Sequence, residues 1–263
     1  MRIALIVTAH NEGAILGTTL LSLMRTIDSL QHAVDEAFWH RCRFEFFVVR
    51  DRADEPTCVA SDIFARYIQE SPIAHKICYS VLNTDFGEPG SARNAAIAAT
   101  QSDYLFVMDG DDLICSSFLR EAISFIHGHV QPDALKVLHP NYLFTFDQKL
   151  LLWQQPSWNS FAANKSSALL INPWDVTVFA PRSVYESCPY LSTAVSRGTG
   201  FEDWEWNLAT LTRGIEHHVL PKTTVYKRSK PFGRLIRDNL GHVLVETSRI
   251  NWNVDSNSKC NVD

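Results

Sequence analysis

Residues 104–112 read Tyr-Leu-Phe-Val-Met-Asp-Gly-Asp-Asp, an apolar run that ends abruptly in three carboxylates. The unbroken apolar stretch 104–108 describes a strand buried on both faces, as in a mostly parallel sheet. Asp109, Asp111 and Asp112 then crowd its carboxyl end, where mutual repulsion and burial would raise their pKa values unless a cation intervenes. Hard carboxylate oxygens suit Mg²⁺ or Mn²⁺, which bind through one or two carboxylates plus substrate phosphates. The same residues also suit an acidic turn capping the next helix. Their position directly after a buried strand favours the cation.

Upstream, residues 3–8 form a second apolar run, closed by the polar turn Ala9-His10-Asn11-Glu12-Gly13. Leu16, Leu20, Leu23, Met24 and Ile27 then recur on one face of a helix. A strand at 44–49 ends in Arg50-Asp51-Arg52-Ala53-Asp54, and a helix carrying Val59, Ile63 and Tyr67 on one side follows. Residues 76–82 predict a further strand, and Ser91 is a candidate cap for an Ala-rich helix running to Thr100. Alternation of strand and helix as far as residue 128 predicts an α/β fold with a mostly parallel sheet, whose ligands collect at the strand carboxyl ends. His10-Asn11, Asp51 and the acidic run all fall there. Beyond residue 130 the chain turns aromatic and irregular (Trp153, Trp158, Phe161, Trp174), with a strand at 176–180 and a helix from Phe201 to Arg213. The polar residues from 251 onward are expected to fray.

A chain of 263 residues, 46% apolar and 20% charged, can bury a core without staples. Its net charge of −5 points away from nucleic acid as a partner. Six cysteines without a C-x-x-C pair suggest reduced thiols in a cytoplasmic protein. The apolar run at 3–7 is too short for a signal peptide, and no stretch approaches the roughly 20 residues of a membrane helix. The absence of G-x-S-x-G, of a P-loop and of G-x-G-x-x-G removes the main support for hydrolase, NTPase and dehydrogenase readings. A basic stretch at 222–237 (Lys222, Lys227, Arg228, Lys230, Arg234, Arg237) suits a solvated surface, a diphosphate, or peripheral contact with anionic lipid at the inner face of a membrane.

Together these segments resemble a family 2 glycosyltransferase of the GT-A fold, over residues 1–230. The resemblance is carried by 3–12, with its T-x-x-N-E-like turn, and by Val48-Val49-Arg50-Asp51. It continues in Gly87-Glu88-Pro89-Gly90-Ser91-Ala92-Arg93-Asn94, in 104–112, and in Phe179-Ala180-Pro181-Arg182-Ser183 followed by Glu202-Asp203-Trp204. It implies a single Rossmann-like nucleotide-diphospho-sugar transferase domain at 1–230, with a nucleotide-binding part at 1–128 and an acceptor-side part at 129–230, and a C-terminal extension at 231–263. It also implies that Thr8 and His10 line the nucleobase pocket, that Asp51 accepts a hydrogen bond from the base, that Asn11 belongs to the donor site, that Arg93 lies near the ribose or diphosphate, that Asp111 holds the ribose or the metal and Asp112 or Asp109 the metal itself, Mn²⁺ or Mg²⁺, and that Asp203 is the general base. The implied partners are a nucleotide-sugar donor, UDP-linked by preference, and a glycan or lipid-linked saccharide acceptor, in surface polysaccharide or glycan biosynthesis. Inversion at the anomeric carbon is likewise the family's implication.

The sequence departs from the family at Arg50, where an acid is usual, and at His10, where Tyr is common; it also lacks Q-x-x-R-W, which points to single-sugar transfer. From the residues alone, Glu202-Asp203 also reads as first-turn helix acids. His217 or His218 reads as a satisfied structural histidine or as a third metal ligand. A nucleotidyltransferase would want a Gly-rich basic loop at 9–16, which is missing. A non-catalytic nucleotide-sugar-binding module is the remaining alternative, opposed by the acidic run, Arg93 and Asp203.

Overall fold

Strand β1 (Arg2–Ala9) shows how the sequence builds a two-sided core. Side chains alternate along a strand, so Ile3, Leu5 and Val7 enter one apolar cluster and Ala4 and Ile6 the other. The same alternation divides β2 (Arg43–Asp51) into Phe44, Phe46 and Val48 against Phe47 and Val49. It divides β4 (Tyr104–Asp109) into Phe106 and Met108 against Leu105 and Val107. Neither face of these strands meets water, which is why they read as unbroken apolar runs.

The computed structural model describes residues 1–128, 135–157, 167–193, 198–230, 244–245 and 249. β1 is followed by α1 (Leu16–Gln31) and α2 (Glu36–Arg41), and β2 by α3 (Glu55–Glu70). β3 (Ile77–Thr84) is followed by α4 (Pro89–Ala99), and β4 by the short β5 (Leu113–Ile114) and α5 (Phe118–Gly128). The chain beyond residue 130 contributes β6 (Lys136–Asp147), β7 (Leu152–Gln154), β8 (Val178–Pro181), α6 (Arg182–Ser187), β9 (Thr199–Gly200), α7 (Glu202–Thr212), β10 (Glu216–Ser229) and β11 (Leu244–Val245). Among the described residues the main sheet runs β3-β2-β1-β4-β8-β6-β10-β5, with β7 on β6. The β3-β2-β1-β4 pairs are parallel, as is β10 on β6, whereas β8 is antiparallel to β4 and to β6. The fold is therefore α/β with a mostly parallel sheet, and that sheet crosses from one half of the chain to the other. No helix among the described residues is long and apolar enough to cross a membrane.

Three expectations need correction. Helix α3 exists, but Val59, Ile63 and Tyr67 face solvent, while Thr57, Ser61, Phe64 and Ile68 form its buried side. The pairs stand at the same helical spacing, so periodicity alone could not choose between faces. Ser91 does not cap α4: Glu88 does, accepting from the Gly90 and Ser91 amides, with Pro89 opening the helix. Within the basic stretch Lys222 is exposed, but the other described cations are not free. Lys227 and Arg228 lie on β10 and Lys230 immediately after it, and all three pair with carboxylates. Arg234, Arg237 and the residues from 251 on lie outside the described residues. Of the C-terminal extension, β11 pairs in parallel with β9, and Arg249 reaches Glu205 at 2.5 Å.

Candidate active site

The acidic turn lies against the end of β1 because residue 110 is glycine. The Gly110 amide donates to the Thr8 carbonyl at 2.8 Å, and a Cβ there would meet that oxygen at 2.9 Å. The turn thus delivers its carboxylates to the same sheet edge as Thr8, whose hydroxyl reaches Asp109 Oδ1 at 3.4 Å. Along that edge, Asp51 Oδ1 accepts from the Thr84 hydroxyl at 2.9 Å and the Phe86 amide at 2.8 Å. His10 donates from Nδ1 to the Asp51 carbonyl at 2.7 Å, leaving its ring exposed. Asn11 is exposed beside it. Thr8, His10, Asn11 and Asp51 therefore share the edge formed by the ends of β1 and β2.

Arg93 ties this edge to the acceptor side. Only 2% exposed, it donates to Asp109 and to Glu202, each at 2.7 Å, and its guanidinium stands 5.3 Å over the Tyr190 ring. Burial opposes its charge, but Asp109 and Glu202 more than offset that and raise its pKa well above the usual value. Asp109 in turn is held below the usual carboxylate range: burial alone would raise it, but Arg93 and Lys227 prevail.

The three carboxylates of the run have different surroundings. Asp109 remains partly open. Asp111 meets Lys230 at 2.8 Å, and that ammonium also meets Glu12 at 3.1 Å. Asp112 is turned inward, 1% exposed, accepting from the Arg228 amide at 3.0 Å and from Lys227 at 3.1 Å. Lys227 also meets Asp175 at 2.8 Å and Asp109 at 3.8 Å. Burial, followed by the charges of Asp175, Asp111 and Asp109, pushes Asp112 well above its ordinary pKa despite Lys227. Carboxylates thus outnumber the cations Arg93, Lys227 and Lys230, and their charges add to the effect of burial on Asp112.

Asp203 stands in the first turn of α7, entered through Phe201 at φ 58°, a left-handed conformation that costs a bulky side chain about 1–3 kcal/mol. Asn172 Nδ2 donates to its carboxylate at 2.9 Å. Burial first, then Glu202 and Asp175, push its pKa up to about 7. His217 is far from this chemistry in character. Fully buried, it stacks on Trp174 at 4.2 Å and bonds His139 at 2.8 Å and Thr210 at 2.9 Å, while burial pushes its pKa down to about 3. His218 pairs with Glu216 at 2.9 Å. Both histidines are committed to structural partners.

The sequence reading missed Glu12, Asp175, Lys227 and Lys230 as parts of this cluster. Glu12 directly follows His10-Asn11, a usable signal. The lysines were visible only as members of a basic stretch with several possible uses, because the carboxylates they face are distant in sequence.

The comparisons with known proteins agree with this architecture. Among solved structures, the chain is similar to residues 1–349 of TarS from S. aureus in complex with UDP, at 19% identity and a TM-score of 0.61, covering 88% of this chain and 61% of that one. The same protein in complex with UDP-GlcNAc gives 17% identity, a TM-score of 0.63, and 90% and 61% coverage. The mannosyltransferase PcManGT from Pyrobaculum calidifontis, in complex with GDP-Man and Mn²⁺, gives 13%, 0.59, 88% and 58%. The chain thus spans only part of the length of these proteins, and likeness at such identities speaks to the fold, which is that of GT-A glycosyltransferases. No curated protein matches the chain. The family model described as glycosyl transferase family 2 matches residues 4–160, more than half of the sequence. The chain belongs to glycosyl transferase family 2.

Proposed function

We propose that the protein transfers one sugar from a nucleotide diphosphate sugar, UDP-linked by preference, to a hydroxyl of a glycan or lipid-linked saccharide, with inversion, in surface polysaccharide or glycan biosynthesis. The observation that carries this reading is the buried Arg93 bridge, which joins the acidic run after β4 to the Glu202-Asp203 pair of α7. A donor site and a base are thereby held in one rigid frame. In this reading residues 1–128 serve the nucleotide and 129–230 the acceptor.

Thr8, His10, Asn11 and Asp51 receive the base, and Asp51 is pre-oriented by its bonds to Thr84 and Phe86. Asp203 takes the proton of the attacking hydroxyl. A divalent cation, Mn²⁺ or Mg²⁺, suits the hard carboxylate oxygens here, but among the described residues no three metal-ligating side chains converge, so substrate phosphates would complete its shell. Asp109 and Asp111 would hold it, whereas Asp112 is occupied in anchoring β10. When bound, such a cation neutralises charge on the departing diphosphate. Arg93 keeps Asp109 ionised for that purpose.

Binding stabilises a fold by mass action, so UDP with Mn²⁺ raises the melting temperature more than UDP or Mn²⁺ alone. Asp111→Asn removes the Mn²⁺-dependent increment. Equal shifts in the presence of EDTA would sink the metal part of the proposal, and the absence of any nucleotide shift would sink the donor reading.

A further inference from the structure

Two lysines enter the acidic cluster from the end of β10, and they are held very differently. Lys227 touches Asp112, Asp175 and Asp109, and its neighbours are tied as well. The Arg228 amide bonds Asp112, and Asp175 Oδ1 accepts from both the amide and the hydroxyl of Thr177 at 3.0 and 2.8 Å. That ammonium belongs to the frame. Lys230 follows the last residue of β10 and holds Asp111 at 2.8 Å and Glu12 at 3.1 Å. Its side chain is 34% exposed, close to the 30% of Lys227, so the two lysines differ in the number of carboxylates that hold them, two against three.

Glu12 is itself fixed. Its carboxylate accepts from the His10 amide, and its own amide donates to the Thr57 hydroxyl at 2.9 Å. Two anchored carboxylates from different turns therefore share one ammonium on a long flexible stem. A lysine is a compact charge with rotatable donors, so it can leave a carboxylate pair without moving the backbone. A divalent cation on Asp111 would repel it and neutralise the pair more completely. The nearest uncompensated anion would then be the diphosphate that arrives with that cation.

We propose that Lys230 is an exchangeable counter-ion of the donor site, holding Glu12 and Asp111 in the free protein and passing to the diphosphate when a divalent cation takes its place. Glu12 is by the same argument the receiving carboxylate of the site, beside Asp111. This inference rests on the nucleotide-sugar reading above. It gives Lys230 two roles of opposite sign: competitor of the cation, and ligand of the nucleotide.

The test is binding by the whole chain, read by calorimetry, for the wild type, Lys230→Met and Lys230→Arg. Mn²⁺ is titrated alone, and UDP is titrated at saturating Mn²⁺. Lys230→Met is expected to bind Mn²⁺ roughly tenfold more tightly, because the competing charge is gone. It is expected to bind UDP roughly tenfold more weakly, because a charge-assisted contact is gone. Lys230→Arg keeps the charge and stays near the wild type in both titrations. Melting curves exclude a folding defect, and Lys230→Gln replaces Lys230→Met if that variant is unstable. Affinities that fall together, or an unchanged Mn²⁺ affinity while the wild type binds UDP, overturn the exchange. Failure of the wild type to bind UDP even with Mn²⁺ overturns instead the nucleotide-sugar reading on which it rests.

Discussion

Asp203→Asn is expected to lower turnover by roughly 10²–10⁴ while leaving UDP affinity within a few-fold of wild type, because a general base acts on the acceptor and not on the donor. The pH profile sharpens the expectation. With its pKa raised to about 7 by burial and by Glu202 and Asp175, Asp203 is largely protonated in mildly acidic solution. Only the carboxylate accepts a proton, so kcat/KM of the wild type climbs with pH up to about 7 and then levels; the Asn variant loses that limb. The stability effect runs the other way. The unfolded chain gives up this proton near the ordinary value of 3.8, so Asp203 costs stability increasingly as pH rises from there toward 7. A variant with normal turnover, or one that loses UDP as badly as Asp111→Asn, would place the base elsewhere, with Glu202 and Glu205 next to be tried.

Arg93→Met should be the most damaging single change to the fold. It leaves Glu202 buried without its cation and frees Asp109 from its closest partner. Breaking a buried pair by removing one member typically costs about 3–5 kcal/mol, which for a chain of this size lowers the melting temperature by about 10 °C. Urea unfolding measures it directly. The double change Arg93→Met with Glu202→Gln should recover part of the loss, since Glu202 is then neutral and only Asp109, with Lys227 3.8 Å away, still lacks its closest cation. A cost below about 1 kcal/mol would mean that water reaches Glu202 and the bridge is not a structural hub.

Much of the nucleotide half is legible in the sequence because its strands are buried on both faces. Nothing but a strand accounts for 3–8, 44–49 and 104–108, and the carboxyl-end rule then gathers Thr8, His10, Asp51 and the acidic run. The acceptor half is less legible for a physical reason. β6 and β10 pair over almost their whole lengths, yet His, Thr, Asn and Lys interrupt their apolar pattern. His139 and His217 share a hydrogen bond between Nε2 and Nδ1 across that pairing, so residues that read as polar surface are core. The same blindness hid the counter-ions. Charge clusters such as Lys227 with Asp112 and Asp175 are tertiary facts, and a single sequence shows each member only as an ordinary exposed charge.

The pairing of β10 with β6 shifts register between Leu220 and Thr224, where Lys222 adopts φ 62°. Downstream of that irregularity, Lys227 faces Asp112 and Asp175, whereas its neighbour Arg228 points its guanidinium at Asp147, 2.9 Å away. Successive side chains of a strand lie on opposite faces, and the pairing offset grows by two residues across the irregularity, so that alternation carries through it unchanged. Deleting a single residue at 221–223 would break the alternation, turning the buried Val225 to the other face together with Lys227, while pairs up to Leu220 kept their partners. The face that each side chain takes beyond this segment is thus set by a count of residues as much as by their identity.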